Sequence, residues 1–416
     1  MLAALGARAH DPVLWHVPGR VEILGKHTDY AGGRSLLAAL DRGFVVGMSP
    51  RDDGTVSLRD AVSGARAAFA LDPDLLPLAG RWAGYPMTVA RRIARDFPGA
   101  RRGADLAIAS DLPSAAGMSS SSALVVATFL ALAETNQLEA SQAWQRHLAT
   151  PEALAGYLGS VENGQNFGPF AGDTGVGTQG GSQDHTAILC CRAGFLSQYG
   201  FCPVTFESSI PWPGGLRLVI AVSGVKARKT GPERAAYNRA SRATRRILEL
   251  WRAASGSTAD VLARAALEPG AREGIAQLLS AAPDPEYADG YLARRYAQFM
   301  AESFDIIPAA ADALNRGDLE EFGRQVDRSQ RGAEEGLENQ VVETIVLART
   351  ARTLGAWAAS SFGAGFGGSV WALVNAGDEA RFEREWLAAY AAECPAAARR
   401  AKFIVTQPAA GATRLS

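Results

Sequence analysis

Four consecutive serines, Ser119 to Ser122, stand between a loop of small residues and a long apolar segment with a helical pattern. If the helix begins at these serines, its first backbone N–H groups are unpaired and the positive end of the helix dipole is exposed there. Gly117 and Ala116 keep bulky side chains away from this end, and the hydroxyls add donors and a ligand for a hard metal ion. The pattern indicates a phosphate site. The alternative is a multiply capped helix, because serine is also a favoured N-cap residue.

A second polar loop, GKHTDYAGG from Gly25 to Gly33, lies between two predicted strands. It places Lys26, His27, Asp29 and Tyr30 within five positions. Loops this dense in titratable groups and framed by strands are candidates for recognising hydroxyl groups. The alternative is a turn in which the Asp and Gly residues serve only the backbone geometry.

A glycine-rich segment runs from Phe167 to Asp184 and ends at an apolar run, Ala187 to Cys191, which we predict to be a strand. Such a loop lets backbone approach a ligand closely and delivers Asp184 to it. The GxGxxG spacing occurs here at Gly175, Gly177 and Gly180. With no strand predicted before it and no helix after it, the segment does not fit a dinucleotide-binding turn.

The second GxGxxG match lies near the end, within SSFGAGFGGSVWALV from Ser360 to Val374. The glycines that carry it are Gly363, Gly365 and Gly368. The predicted order is helix, glycine loop, strand, which is the reverse of a dinucleotide fold. A dinucleotide oxidoreductase is therefore excluded, and the loop is expected to let another backbone segment pack closely.

The elements that must position these motifs divide into a β-rich first part and a helical second part. The predicted strands of the first part are Val13 to Val17, Val21 to Leu24, Ser35 to Ala39, Phe44 to Met48, Thr55 to Leu58 and Ala104 to Ala109. Gly80 to Asp96 ends in an amphipathic helix with its arginines predicted on the outer face. Trp82 and Tyr85 precede that helix and either fill a core or enclose a base.

A strand at Leu216 to Ser223 is predicted to begin a second domain. The pattern is almost entirely helical from Glu233 to Arg352, and a helix from Asp378 to Ala391 and a strand at Phe403 to Thr406 close the chain. At 416 residues the chain exceeds the size at which one hydrophobic core usually stops growing, so two domains are expected.

Composition narrows the class of protein. The net charge is -1, from 42 basic and 43 acidic residues without a long single-sign block, which argues against a nucleic-acid partner. The longest apolar stretch, Ala123 to Ala133, is too short to cross a bilayer, and the N-terminus lacks a signal-peptide pattern. The four cysteines show no metal-ligand spacing. We therefore expect a cytoplasmic protein with no membrane partner and with reduced core cysteines.

Three motifs in a fixed order resemble the signature motifs of the GHMP small-molecule kinases. They are PGRVEILGKHTDYAGG at Pro18 to Gly33, LPSAAGMSSSSA at Leu112 to Ala123 and GAGFGG at Gly363 to Gly368. The first resembles galactokinases specifically, and RWAGY at Arg81 to Tyr85 and AAYNRAS at Ala235 to Ser241 agree with them.

The resemblance implies an α+β GHMP kinase fold with the active site in a cleft between two domains. Residues 1–205 would form an N-terminal part like domain 2 of ribosomal protein S5, and residues 206–416 a ferredoxin-like C-terminal part with added helices. It implies ATP and Mg²⁺ as cofactors and a monosaccharide, most simply galactose, phosphorylated at its anomeric hydroxyl. We expect a monomer or weak homodimer.

Residue roles follow from the same resemblance. Arg20 and Asp184 match the catalytic pair, with Asp184 as an orienting acceptor that takes the proton late, and His185 is interpreted as a structural neighbour. Glu162 and Ser121 match metal ligands. Sugar contacts fall on Lys26, His27, Asp29, Gly181 and Tyr237. Nucleotide contacts fall on Trp82, Tyr85, Gly117, Ser119, Ser120, Ser121 and Gly365.

Several residues differ from those usual in galactokinases, and one of these differences bears on which sugar accepts the phosphoryl group. Lys26 stands where galactokinases usually have Glu, and an ammonium can only donate, which would suit a sugar carboxylate such as that of galacturonate. Alternatively Lys26 points to solvent or pairs with Glu22, and the pocket takes galactose; pentoses are a further option. The catalytic segment reads GSQDH instead of GIMDQ, and Ala115 and Ser360 also depart, which suggests a divergent branch. A non-catalytic sugar and ATP sensor is the alternative from another class.

Overall fold

The computed structural model describes residues 12–113, 115–226, 231–281, 284–287 and 290–415, with the side chains of 231–233 left out. Ser114, within the second motif, lies outside the described residues. The strands are β1 Val13–Leu24, β2 Arg34–Pro50, β3 Thr55–Asp60, β4 Arg66–Ala70, β5 Ala104–Ser110, β6 Phe195–Gly200, β7 Thr205–Pro211, β8 Leu216–Val222, β9 Ala358–Phe362, β10 Ser369–Asn375, β11 Lys402–Thr406 and β12 Thr413–Arg414.

The α-helices are α1 Gly84–Asp96, α2 Ser120–Thr135, α3 Gln142–His147, α4 Pro151–Asn163, α5 Gln183–Cys190, α6 Gly231–Ser255, α7 Leu262–Ala266, α8 Ala271–Ala281, α9 Tyr291–Met300, α10 Ile307–Asn315, α11 Leu319–Gly332, α12 Val342–Thr353, α13 Glu379–Glu393 and α14 Pro395–Ala398. Short π-helical turns at Ala301–Ile306 and Ala333–Leu337 follow α9 and α11. No helix in the described part of the chain has the length and apolar character to span a bilayer.

Two sheets organise the molecule. The first has eight strands, with the path β12-β1-β2-β5-β3-β4 and with β6 and β7 joined through β2. Among the described strands of this sheet, β3 and β5 pair in parallel and the other neighbours are antiparallel. The second sheet is antiparallel, in the order β11-β8-β10-β9. The first sheet continues through β7, beyond the expected boundary at 205/206, and returns with β12, so the division into two domains at that point stays a prediction.

One hydrophobic cluster joins the two sheets. Val21 and Leu36 of the first sheet pack in the same buried cluster as Ile220 and Trp371 of the second. A separate cluster packs α1, α2 and α4 on the other face of the first sheet. Because β1 is buried on both faces through Leu24, the side chains that it directs toward α5 are held in a fixed position.

Several sequence predictions of local structure were wrong. Ala187 to Cys191, predicted as a strand, lies mostly in α5, so a helix does follow the glycine-rich segment. The last glycine motif connects two strands, β9 and β10, instead of a helix and a strand. These runs are short and apolar, and periodicity does not separate a buried strand from a buried helix at such lengths.

The amphipathic pattern misplaced two of the three arginines of α1, while Arg95 is exposed as predicted. Arg91 and Arg92 are buried, at 6% and 0% exposure, instead of lying on the outer face. Arg91 pairs with Asp173 at 2.8 Å and Arg92 with Asp96 at 3.1 Å. Buried guanidinium groups need such partners, and the Asp173 contact ties the glycine-rich segment to α1.

Candidate active site

Arg20 and Asp184 form an ion pair between β1 and α5. Arg20 lies on β1 and is 3% exposed, and Asp184 lies in the first turn of α5. The Nε and NH2 atoms of Arg20 stand 2.8 and 2.7 Å from Oδ1 of Asp184. NH1 of Arg20 donates to the carbonyl of Gly117, in the loop before the four serines. One guanidinium therefore links the α5 carboxylate to the predicted phosphate loop.

The four serines begin α2, as the sequence predicts. Ser119 has φ 56°, in the left-handed region, and turns the chain into the helix. Its buried hydroxyl has no hydrogen-bond partner among the described residues. A large cavity opens over this helix end, and Gly117 and Ser119 to Ser121 line it.

Trp82 and Tyr85 line the same large cavity, so the predicted nucleotide residues from two distant segments converge. Gly365 packs against Asn339, where an added Cβ would lie 2.4 Å from the Asn339 carbonyl oxygen. Its neighbour Ala364 lines the cavity. The third motif therefore reaches this space through Ala364, with Gly365 supporting the turn.

A smaller cavity lies beside the large one, and Arg20 and Ala364 line both. His27, Asp29, Gly181 and Tyr237, all predicted as sugar contacts, line the small cavity together with Asp184. Asp29 Oδ2 accepts a hydrogen bond from the Gln183 N–H at 3.0 Å. The Nε2 atom of His27 is 3.0 Å from the Ala364 carbonyl oxygen, which connects the first motif to the third.

Lys26 does not follow the prediction made for it. Its side chain is 1% exposed, and Nζ donates to Ser329 Oγ on α11 at 2.9 Å. The ammonium is therefore directed to a helix instead of toward the small cavity, and the alternative in which it points into solvent is wrong. Lys26 acts electrostatically on Glu22, while the described hydrogen bond of its Nζ goes to Ser329.

Glu162 contacts Ser122, one residue after the serine predicted to share a metal with it. Ser122 Oγ donates to Glu162 Oε2 at 2.8 Å and is also 3.4 Å from Asp184 Oδ2. His185 Nε2 lies 3.1 Å from the same Glu162 oxygen. His185 also lines the small cavity. Successive residues of a helix point in different directions, so Ser121 faces the large cavity while Ser122 faces Glu162.

Burial perturbs the carboxyl groups of the small cavity. Desolvation raises the pKa of Glu22 to about 7, against the opposing effect of Lys26 and Arg20. Desolvation also raises the pKa of Asp29, and the hydrogen bond from the Gln183 N–H opposes it. The pKa of Tyr237 is raised well above its ordinary value, chiefly by burial. Shifted groups that share one cavity are typical of functional sites.

Comparison with known proteins agrees with this geometry. Residues 4–50 match the galactokinase galactose-binding signature, 84–166 the GHMP kinases N terminal domain and 310–392 the GHMP kinases C terminal domain. A galactokinase of Chloroflexus aggregans is 30% identical over 379 residues, which cover 90% of this chain and 87% of that protein. The chain belongs to the galactokinase family.

Other relatives agree over the whole length. A galactokinase of Streptomyces coelicolor is 28% identical, with 97% of this chain and 94% of that protein covered. The crystal structure of Lactococcus lactis galactokinase complexed with galactose has a TM-score of 0.80 at 22% identity and covers 100% of this chain and 98% of that one. The crystal structure of L. major mevalonate kinase in complex with R-mevalonate shares the fold, with a TM-score of 0.56 at 18% identity, and covers 99% of this chain and 100% of that one.

Family membership confirms the predicted α+β GHMP kinase fold and the predicted class of enzyme. The protein is a galactokinase-like sugar kinase whose substrates are a sugar and ATP.

Sequence reasoning did not assign five side chains to the small cavity that line it, those of Glu22, Ser122, Asn163, Thr178 and Gln183. Glu22 could have been found, because it stands two residues after Arg20 on one strand, where alternate side chains share a face. Gln183 and Ser122 gave no such signal, since their roles depend on how α5 and α2 meet.

Proposed function

We propose that this galactokinase-family enzyme transfers the γ-phosphoryl group of ATP to the anomeric hydroxyl of galactose, giving galactose 1-phosphate and ADP. The observation that carries the proposal is the Arg20–Asp184 pair, which stands where the small and large cavities meet. In-line phosphoryl transfer needs the acceptor hydroxyl on one side of the transferred group and the nucleotide on the other. The small cavity would hold the sugar and the large cavity the nucleotide.

Asp184 accepts the hydrogen bond of the attacking hydroxyl in this proposal and orients its oxygen. Arg20 holds the Asp184 carboxylate through Oδ1 and carries positive charge toward the Gly117 loop, where the phosphates would lie. The unpaired N–H groups at the start of α2 add donors to the phosphate oxygens. Positioning and neutralisation of phosphate charge account for most of the catalysis in this reaction class.

Glu162 and Ser122 provide oxygen donors suited to Mg²⁺, with Ser122 replacing Ser121 in the proposed set. No three His, Cys, Asp or Glu side chains within the described ranges converge into a metal site of their own. That agrees with a kinase site, where Mg²⁺ is held by one or two protein groups and the phosphates of the substrate. When bound, the ion would neutralise charge on the transferred group.

A neutral sugar fits the small cavity better than galacturonate does. Lys26, the group that would have paired with a sugar carboxylate, bonds Ser329 instead. The lining contains four carboxyl groups, those of Glu22, Asp29, Glu162 and Asp184. A further carboxylate there would be repelled and would lose its hydration without a new cation.

The test is ATP-coupled ADP release with galactose, galacturonate, arabinose, glucuronate and N-acetylgalactosamine, with phosphorus NMR of the product. Galactose should give the highest kcat/KM, and the product should carry phosphate at the anomeric carbon. Faster turnover of galacturonate would reject the choice of acceptor. Sugar binding without ADP release from any of the five sugars would favour the sensor.

A further inference from the structure

Glu22 is a buried carboxylate that the catalytic scheme does not use. It lies on β1 two residues after Arg20, is 1% exposed, and lines the small cavity. Its Oε1 atom has no hydrogen-bond partner among the described residues. A buried carboxylate oxygen without a donor costs free energy, and such an atom in a native site calls for an explanation.

The charges around Glu22 do not supply that donor. Lys26 and Arg20 act on Glu22 electrostatically and favour its charged form, while Glu302 and Asp184 oppose it. Lys26 Nζ donates to Ser329 Oγ, and the Arg20 guanidinium donates to Asp184 and to Gly117. The two cations therefore compensate the charge of Glu22, while their described hydrogen bonds go to other groups.

We propose that Glu22 is a specificity-determining residue that accepts a hydrogen bond from a hydroxyl of the acceptor sugar. The inference rests on the proposed function, in which the small cavity holds that sugar. A sugar hydroxyl is a donor of the right size for this space, and it would satisfy Oε1. In its ionised form Glu22 accepts a stronger bond than a neutral group would, and a site built around such a bond discriminates strongly against an analogue that lacks the hydroxyl.

The competing explanation is that Glu22 only balances the buried charge of Lys26. The two explanations differ in what they predict for sugar recognition. A counter-ion contributes to folding but does not distinguish between galactose and its deoxy analogues. A hydroxyl acceptor makes the enzyme sensitive to the loss of one particular hydroxyl.

The experiment measures dissociation constants by calorimetry for galactose and its 2-, 3-, 4- and 6-deoxy analogues, with wild type, Glu22→Gln and Ser329→Ala. For wild type, removal of the hydroxyl that faces Glu22 should weaken binding about ten- to hundredfold. In Glu22→Gln that penalty should fall by about five- to tenfold, because the amide oxygen is a weaker acceptor. Penalties at the other positions should stay as in wild type.

Ser329→Ala is the matched control, since it alters the same buried network from outside the small cavity. It should leave all four penalties unchanged. Equal penalties in wild type and Glu22→Gln at every position would overturn the inference. If Glu22→Gln does not fold, Glu22→Asp, which keeps the charge but withdraws the oxygens by one methylene, should change the penalty at the same single position, and an unchanged profile would overturn the inference. The experiment measures binding and not turnover, so it separates the two proposals. If galactose binds but is not phosphorylated, the proposed function is rejected while the role of Glu22 is still tested.

Discussion

Arg20 donates to Asp184 from two nitrogens that converge on a single oxygen, Oδ1, at 2.8 and 2.7 Å. The other oxygen, Oδ2, lies 3.4 Å from Ser122 Oγ. The same guanidinium bonds the Gly117 carbonyl, so the acceptor carboxylate and the serine loop are positioned by one side chain. A change at either residue should affect the chemical step more than it affects folding.

Replacing Asp184 by Asn should lower kcat for sugar phosphorylation by about a thousandfold or more, because an amide is a poor acceptor for the attacking hydroxyl's proton. ATP affinity should change little, since Asp184 lines the small cavity and not the large one. Coupled ADP release and calorimetric titration of ATP would measure the two effects.

Asp105→Asn is the matched control for that variant. Asp105 is also a half-buried carboxylate paired with an arginine, Arg51, at 3.0 Å, and both side chains are 16% exposed. It lies on β5 at a position that pairs with Ser49. The kcat of Asp105→Asn should stay within about twofold of wild type. If Asp184→Asn retained as much turnover as Asp105→Asn, the proposed role of Asp184 would be rejected.

Replacing Lys26 by Glu should destabilise the protein and not convert its specificity. The new carboxylate would be buried near Glu22 and beside Glu302, whose Oε1 already accepts from the Gly25 N–H at 2.7 Å and from Ser329 Oγ at 2.9 Å. Replacing a buried cation by a carboxylate beside two other buried carboxyl groups leaves charge uncompensated and costs about 3–5 kcal/mol of unfolding free energy. Urea denaturation would measure the loss.

Ser329→Ala provides the scale for the Lys26 experiment, because it removes only the hydrogen-bond partner of Nζ. This variant should lower the unfolding free energy by about 1 kcal/mol. If Lys26→Glu were as stable as wild type, with lower turnover of galacturonate and higher turnover of galactose, Lys26 would be the selectivity residue after all.

The carboxyl of Glu22 should make folding stability pH-dependent. Its pKa is raised from 4.5 to about 7, so the folded state holds a proton that the unfolded state releases between these values. The unfolding free energy therefore falls as pH rises from about 4.5 to 7, by about 3 kcal/mol from this one group. Glu22→Gln should remove this part of the slope, so that its stability relative to wild type increases with pH.

Chemical denaturation at pH 5, 6, 7 and 8 would measure the relative slope. Glu139→Gln, a change at an exposed carboxylate, is the control and should run parallel to wild type at every pH. A difference between Glu22→Gln and wild type that does not vary over this range would show that Glu22 titrates as it does in the unfolded chain.

The motifs and their order were readable from the sequence because each depends on local chemistry. The serines at the start of α2, the polar loop after β1 and the glycines between β9 and β10 each have a local reason for their residue types. Four strands of the first sheet, β1, β2, β3 and β5, were also predicted, although β1 and β2 are longer than the short runs predicted. The strands β4, β6, β7 and β12 were missed. The alternation of buried and exposed positions breaks where both faces of a strand are covered.

The direction of individual side chains was not readable, because it depends on contacts between distant segments. Lys26 was placed toward the sugar by its position in the motif, yet its partner Ser329 lies about three hundred residues later. Which serine of α2 faces Glu162 of α4 similarly depends on the rotation of α2, and Ser122 is the one that donates to the Glu162 carboxylate. Neither fact is encoded in the spacing of a single motif.

Replacing Gly181 by Ala should weaken sugar binding while leaving ATP binding intact. A Cβ at Gly181 would lie 2.4 Å from Asp29 Oδ2 and 2.9 Å from the Tyr30 nitrogen, so the Asp29 carboxylate would have to leave its hydrogen bond with the Gln183 N–H. KM for galactose should rise about tenfold or more, with KM for ATP within about twofold. Gly99→Ala, where an added methyl meets nothing within 4 Å, should behave as wild type in the same steady-state assays. An unchanged KM for galactose in Gly181→Ala would mean that Asp29 does not hold the sugar, because its displacement would then leave recognition intact.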